Sequence, residues 1–232
     1  MSDADLARVS EIVREQWRTL RSWLGEIDVH DERPSVLEGW TVAELVAHLA
    51  RCQLQIPAAV EAPPRTNAQS LAEYLSGYAP DAELVAAGTR ETAVQIAADP
   101  LAEIDLLAWR AWEALEAFGP TDRVVLAKRG PILLSDLVIT RGVEFVVHAD
   151  DLARSLGVKP PVTRAALDLI AEAFLDVVVT RGGWKLEVTD PLLWVRLAAG
   201  RQPYDVDELA KALQATYTAD SVPDLGTLLP LV

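Results

Sequence analysis

Glu144 and His148 lie four positions apart in the apolar stretch RGVEFVVHADDL, residues 141–152. On a helix, side chains at i and i+4 stack on one face, so both groups point the same way. Their neighbours Val143, Phe145, Val146 and Val147 are all apolar, so little of this helix is meant for water. An unpaired buried carboxylate costs on the order of several kcal/mol, which obliges Glu144 to find a partner. A salt bridge to an arginine such as Arg141, a raised pKa, and a metal ion would each meet that need.

The chain has three histidines, His30, His48 and His148. His48 falls between Leu45 and Leu49, on the apolar side of WTVAELVAHLARCQ. A lone histidine there reads first as a core residue whose ring nitrogens are satisfied by hydrogen bonds. Yet two of the three histidines sit on apolar helix faces, and one has a carboxylate a turn away. His48, Glu144 and His148 together would make a two-histidine, one-carboxylate set contributed by two helices. Such a set leaves a coordination position open for water or substrate, as in catalytic zinc sites. Nickel and iron(II) accept the same donors.

Neighbouring polar residues have simpler readings. Glu44 precedes His48 by four but falls in the first helical turn, where capping is its natural role. Cys52, one turn beyond His48, could approach a metal, although a thiol in this setting reads first as core. His30 belongs to a charged loop and reads as solvated. Asp151, three residues after His148, is either a partner behind the histidine ring or an exposed charge. Trp40, beside Gly39, is placed to pack where the second helix begins. No glycine-rich phosphate loop, Ser–His–Asp arrangement or Cys-x-x-Cys pair occurs.

Composition narrows the classes. The chain has 232 residues, half of them hydrophobic and 24% charged, with a formal net charge of −14. That balance suits a globular protein and opposes a nucleic-acid partner, which calls for clustered Lys and Arg. A small anionic ligand needs only one or two local arginines. The start, MSDADLARVS, is too polar for a secretory signal, and no apolar run is long enough to span a membrane. The single Cys52 cannot form an intrachain disulfide and fits a reducing cytoplasm.

Periodicity supplies the elements that must position these groups. Residues 4–24 read as a long helix, with Leu6, Val9, Ile12, Val13, Trp17, Leu20 and Leu24 recurring at three- and four-residue spacing. Pro34 breaks the connection that follows, and Thr41 with Glu44 forms a capping box for the next helix. AAVEAPPRTNAQ, 58–69, reads as a loop. Residues 70–78, 81–97 and 100–118 read as helices, and RVVLAKRGPILLS, 123–135, as a short extended excursion. Ser135 is expected to cap the helix carrying Glu144 and His148, which runs to Leu156 and closes at Gly157. Four main helices within 1–156 make a bundle. After Lys159-Pro160-Pro161 come a helix over 163–180, a strand in WKLEVT, a helix in DPLLWVRLAAGR and a short helix in DVDELAKALQ. The expected division is residues 1–158 and a small α/β unit over 159–232.

Three stretches resemble a known family. EGWTVAELVAHLA (38–50) resembles the second-helix motif of the mycothiol-dependent maleylpyruvate isomerase family, a branch of the DinB-like metal-binding four-helix bundles. RGVEFVVHADDLARSLG (141–157) resembles that family's fourth-helix motif, and EVTDPLLWVRLAAGRQ (187–202) with the terminal LLPLV is similar to its sterol-carrier-like C-terminal domain. The resemblance implies a mostly α fold with a shortened sterol-carrier-like α/β appendage. It carries the metal ligands onto His48, Glu144 and His148, and implies that Arg201 reaches a substrate carboxylate. It also implies mycothiol, a small thiol of actinobacteria, as co-substrate.

The implied chemistry starts from a coordinated thiol, which is deprotonated where a free one is mostly protonated. A thiolate that adds to an activated C=C bond allows rotation about the resulting single bond. Its departure completes an isomerisation; without departure the product is a conjugate, and the enzyme a transferase. The alternative is a non-catalytic lipid or small-molecule carrier with a structural or vestigial metal.

Overall fold

The computed structural model describes residues 3–217 and 221–232. The fold is mostly α, and its helices include α1 (Asp3–Leu24), α2 (Val42–Cys52), α5 (Pro100–Ala117) and α6 (Leu134–Leu156). Two further helices, α3 (Leu71–Ser76) and α4 (Ala82–Ile96), lie between α2 and α5 in the chain. Helix α6 is the axis of the assembly. It packs against α1, α2 and α7 (Arg164–Gly182), and buries residues all around its circumference, which explains the apolar run that surrounds Glu144 and His148. Gly142 makes that crowding possible: a Cβ there would meet Ile170 at 3.0 Å and Val13 at 3.1 Å, so α1 and α7 close on α6 where no side chain intervenes.

Helix boundaries follow local chemistry, with one correction. The Thr41–Glu44 capping box starts α2, and Gly157, with φ of 70°, ends α6. Ser135, however, does not cap α6. The N-cap position is Leu133, and Ser135 sits inside the first turn, its N–H and hydroxyl both donating to Asp122 (3.1 and 2.7 Å). A carboxylate from the preceding loop thus serves the exposed N–H end of the helix, where negative charge is favoured.

The extended excursion is an antiparallel hairpin of β2 (Val124–Ala127) and β3 (Gly130–Leu133), turning at Lys128-Arg129. The segment read as a loop contributes a third strand, β1 (Val60–Glu61), which pairs Val60 with Leu126 and Glu61 with Val125 before Pro63-Pro64 ends it. Pro131 is tolerated because β3 is an edge strand.

Beyond α7 follow β4 (Leu186–Val188), α8 (Pro191–Ala198), α9 (Val206–Ala212) and β5 (Leu213–Ala215). The expected helix over 205–214 therefore stops early. Leu213 turns extended and fully buried, and its strand pairs antiparallel with β4, which would otherwise leave its ladder groups unmatched. One continuous core runs from Leu6 to Leu231, and Trp194 of α8 is fully buried, donating to the Ala171 carbonyl at 3.0 Å. Two consecutive aspartates of α6 reach into this last part of the chain: Asp150 takes a two-pronged bond from Arg196 (2.6 and 2.8 Å), and Asp151 pairs with Arg201 at 3.1 Å. No helix among the described residues is long and apolar enough to cross a membrane.

Candidate metal centre

Helices α2 and α6 bring His48, Glu144 and His148 together, with one donor atom from each lying within 4.8 Å of the others. Both imidazole Nε2 atoms face the same carboxylate oxygen, Glu144 Oε2, at 3.1 Å from His48 and 3.2 Å from His148. The rings meet in a T-shape with centroids 4.6 Å apart, and Trp40 and His48 form a second T-shaped pair with centroids 5.4 Å apart.

The outer nitrogens decide what the inner ones can do. His148 Nδ1 lies 3.0 Å from Asp151 Oδ2, and Asp151 is fully buried. A carboxylate only accepts, so this Nδ1 carries a proton, and a neutral ring then turns its Nε2 lone pair toward Glu144. Two lone pairs 3.2 Å apart repel unless a cation sits between them. A proton or a metal ion serves. His48 Nδ1 lies 3.3 Å from the buried Thr89 hydroxyl of α4, which can accept its proton and leave Nε2 free to coordinate. The donor set therefore fits a divalent metal, with each ring held from behind.

Electrostatics in the metal-free protein follow from this geometry. Burial opposes charge on His48, but the Cys52 sulfur and the Glu144 carboxylate outweigh it and lift its pKa to about 9. Burial also opposes charge on His148, and Asp151 and Glu144 raise it in turn. Burial alone would raise Glu144, yet hydrogen bonds to both histidines and the charges of His48 and Arg141 hold it well below the usual carboxylate range. Asp151 is likewise lowered against its burial, by His148 and Arg201.

Of the partners expected for Glu144, the raised pKa is not what the structure gives, since its neighbours hold the carboxyl low; an arginine partner is present. Arg141 Nη2 stands 3.8 Å from Glu144 Oε1, on the side away from the histidines' shared oxygen. Arg141 is buried and donates to the Cys52 carbonyl and the Tyr78 hydroxyl, each at 3.2 Å. Cys52 is buried as expected, but its Sγ also lies 3.4 Å from His48 Nε2. Glu44 stays in its capping box, with Arg90 at 3.4 Å. His30 is exposed. Thr89, Tyr78 and Arg141's network were not singled out by sequence pattern. A threonine on a helix without a motif carries no signal until the fold places it opposite a histidine.

The three donors line one wall of a cavity of ≈ 490 Å³. Arg201 reaches it from the loop after α8, held by Asp151 and the Ala199 carbonyl at 2.7 Å. Arg51, Lys128, Arg129 and Arg141 also line it, and among the described residues the acidic side chains facing them are Glu38 and Glu144, a local reversal in a chain of net charge −14. Such a concentration of cations favours an anionic ligand.

If Asp151 and Thr89 orient the rings, Asp151→Asn and Thr89→Val should each weaken zinc binding by about 10–100-fold, a typical effect of losing such supports. Competition against a chromophoric chelator measures this. Unchanged affinity in both variants would mean that the rings need no support from behind.

Comparison with known proteins places the chain in context. A family model described as "Mycothiol maleylpyruvate isomerase N-terminal domain" matches residues 13–153. Among solved structures, the crystal structure of the mycothiol-dependent maleylpyruvate isomerase superposes with a TM-score of 0.61, covering 96% of this chain and 98% of the other at 16% identity. That identity carries the fold and nothing finer. No curated protein matches in sequence. With well over half its length inside the family model, this chain belongs to the mycothiol maleylpyruvate isomerase N-terminal domain family.

Proposed function

We propose that the cavity is the active site of a metal- and thiol-dependent isomerase or transferase acting on a small anionic electrophile. The observation that carries this reading is the convergence of His48, Glu144 and His148 on one point of a cation-lined cavity. Family membership supports mycothiol as the thiol. Zinc is the first choice of metal, with nickel or iron as substitutes. When bound, the metal supplies the Lewis acidity that leaves an incoming thiol deprotonated at neutral pH.

The chain's own residues do the rest. Asp151 keeps the proton on His148 Nδ1 and steers Arg201, which holds the substrate carboxylate at the cavity wall. Arg141 anchors Glu144 from the far side. Trp40, Leu37 and Val85 line the same space and exclude water around the reacting atoms. In this reading residues 1–158 form the metal-holding bundle, and 159–232 a small α/β unit whose function is to deliver Arg201.

Elemental analysis of protein purified without chelator or affinity tag should find about one divalent ion per chain. Unsaturated dicarboxylates and other electrophiles, screened with and without thiol, should turn over only with thiol, mycothiol being best. Equal turnover without thiol would replace this reading with direct hydrolysis.

A further inference from the structure

Four of the five cations lining the cavity already have an anionic partner. Arg201 is paired with Asp151, Arg141 with Glu144, and Lys128 and Arg129 both with Asp81. Arg51 is the exception: among the described residues it has no carboxylate partner, and its sole polar contact is a marginal one to the Gly88 carbonyl at 3.5 Å. It follows His48 by three positions on α2, so it shares the face that carries the metal ligand and lines the same cavity.

Its position is built. The guanidinium lies flat on Gly88 of α4, where a Cβ would come within 2.5 Å of Arg51 Cζ, 2.6 Å of Nη2 and 2.7 Å of Nη1. An interior helical glycine costs up to about 1 kcal/mol relative to alanine, so α4 gives up helix stability at the one place where the arginine head must rest. An unpaired, pre-seated guanidinium at a cavity wall presents its planar donor fork to whatever enters.

We propose that Arg51, seated on Gly88, is the residue that selects a carboxylate-bearing reactant for this cavity. This deepens the function proposed above and rests on it. The carboxylate belongs either to the electrophile or to the thiol, and Arg51 binds it while Arg201 serves a second anionic group or none.

Calorimetric titration of the zinc-loaded full chain tests this with two probe pairs. Maleate against maleamate changes one carboxylate of an electrophile to a neutral amide of the same shape. 3-Mercaptopropionate against 3-mercaptopropionamide does the same to a thiol. Wild type should prefer the charged member of at least one pair by about 10–100-fold, the range of a charge-assisted hydrogen bond. Arg51→Gln should bring that ratio close to one. Gly88→Ala should do the same with every charge retained, because the flexible arginine end must move off the new methyl group.

Zinc content should stay at the wild-type value in both variants, and melting temperature should hold in Arg51→Gln and hold or rise in Gly88→Ala, where alanine favours the helix, which separates recognition from folding damage. Collapse of the maleate ratio assigns the carboxylate to the electrophile, and collapse of the other ratio assigns it to the thiol. Ratios that survive in both variants overturn the proposal for Arg51 and leave the active-site reading standing. A wild type that binds none of the four probes overturns both.

Discussion

Replacing Glu144 with leucine is expected to destabilise the metal-free protein by about 3 kcal/mol or more, the usual cost of stranding one member of a buried ion pair. On the metal-ligand reading of the sequence alone the opposite is expected, since an apolar group of similar bulk would relieve a buried carboxylate beside two histidines, whereas a salt bridge to Arg141 predicts a loss. Arg141 reverses the sign. It is 3% exposed, and among the described residues Glu144 is its only carboxylate partner, so leucine leaves a guanidinium with neutral acceptors alone. Glu144→Gln keeps one oxygen in place and should cost less. With saturating zinc the gap between wild type and either variant should widen, because binding stabilises only the protein that binds. Thermal melts with chelator and with zinc measure both margins. A gap of the same size under the two conditions would remove Glu144 from the ligand set.

The second large effect is a crossing of pH trends. In the metal-free protein the folded-state pKa of His48 is about 9 against 6.5 for the free side chain, and that of His148 is also raised. Between these values the folded state holds more protons than the unfolded state, so stability must fall as pH rises. The contribution is complete below 6.5 and gone above about 9. Glu144 and Asp151 act in the other direction, because their lowered values contribute stability above the free carboxylate range that disappears in acid. Zinc inverts the upper limb. Ligand histidines must be neutral, so metal displaces those protons and binds more tightly as pH climbs through the same window. Melting temperatures measured across it should decline with chelator and rise, or hold, with zinc. Parallel decline in both series would mean that no metal replaces the protons.

Much of this site was legible because helices repeat with a fixed period. Four-residue spacing puts Glu144 and His148 on one face whatever surrounds them, and the apolar flanks of His48 show that it points inward. The Thr41–Glu44 capping box and Gly157 were readable for the same reason: they are contacts within a few residues. Contacts across the chain were not. Asp122 substitutes for Ser135 as the cap of α6 from the preceding loop. Thr89 finds His48 from α4, 41 positions away. Strand β5 exists only because β4 offers it an open edge. Each depends on where the backbone returns, which local propensity does not encode. Cys52 is intermediate, since its burial was predictable and its 3.4 Å approach to His48 was one of two open readings.

The adjacent aspartates of α6 bear on how such a protein could be cut or recombined. Asp150 and Asp151 are 3% and 0% exposed, and the arginines that neutralise them, Arg196 and Arg201, come from beyond residue 190. The family model ends at residue 153, but the charge balance of the segment it covers is completed elsewhere. A fragment cut after α6 would expose two carboxylates shaped for absent partners, one of them directly behind His148. Swapping C-terminal segments between relatives would therefore transplant a piece of the candidate site's electrostatics along with the fold. Two neighbouring codons in the last third of one helix tie α6 to the segment beyond residue 190.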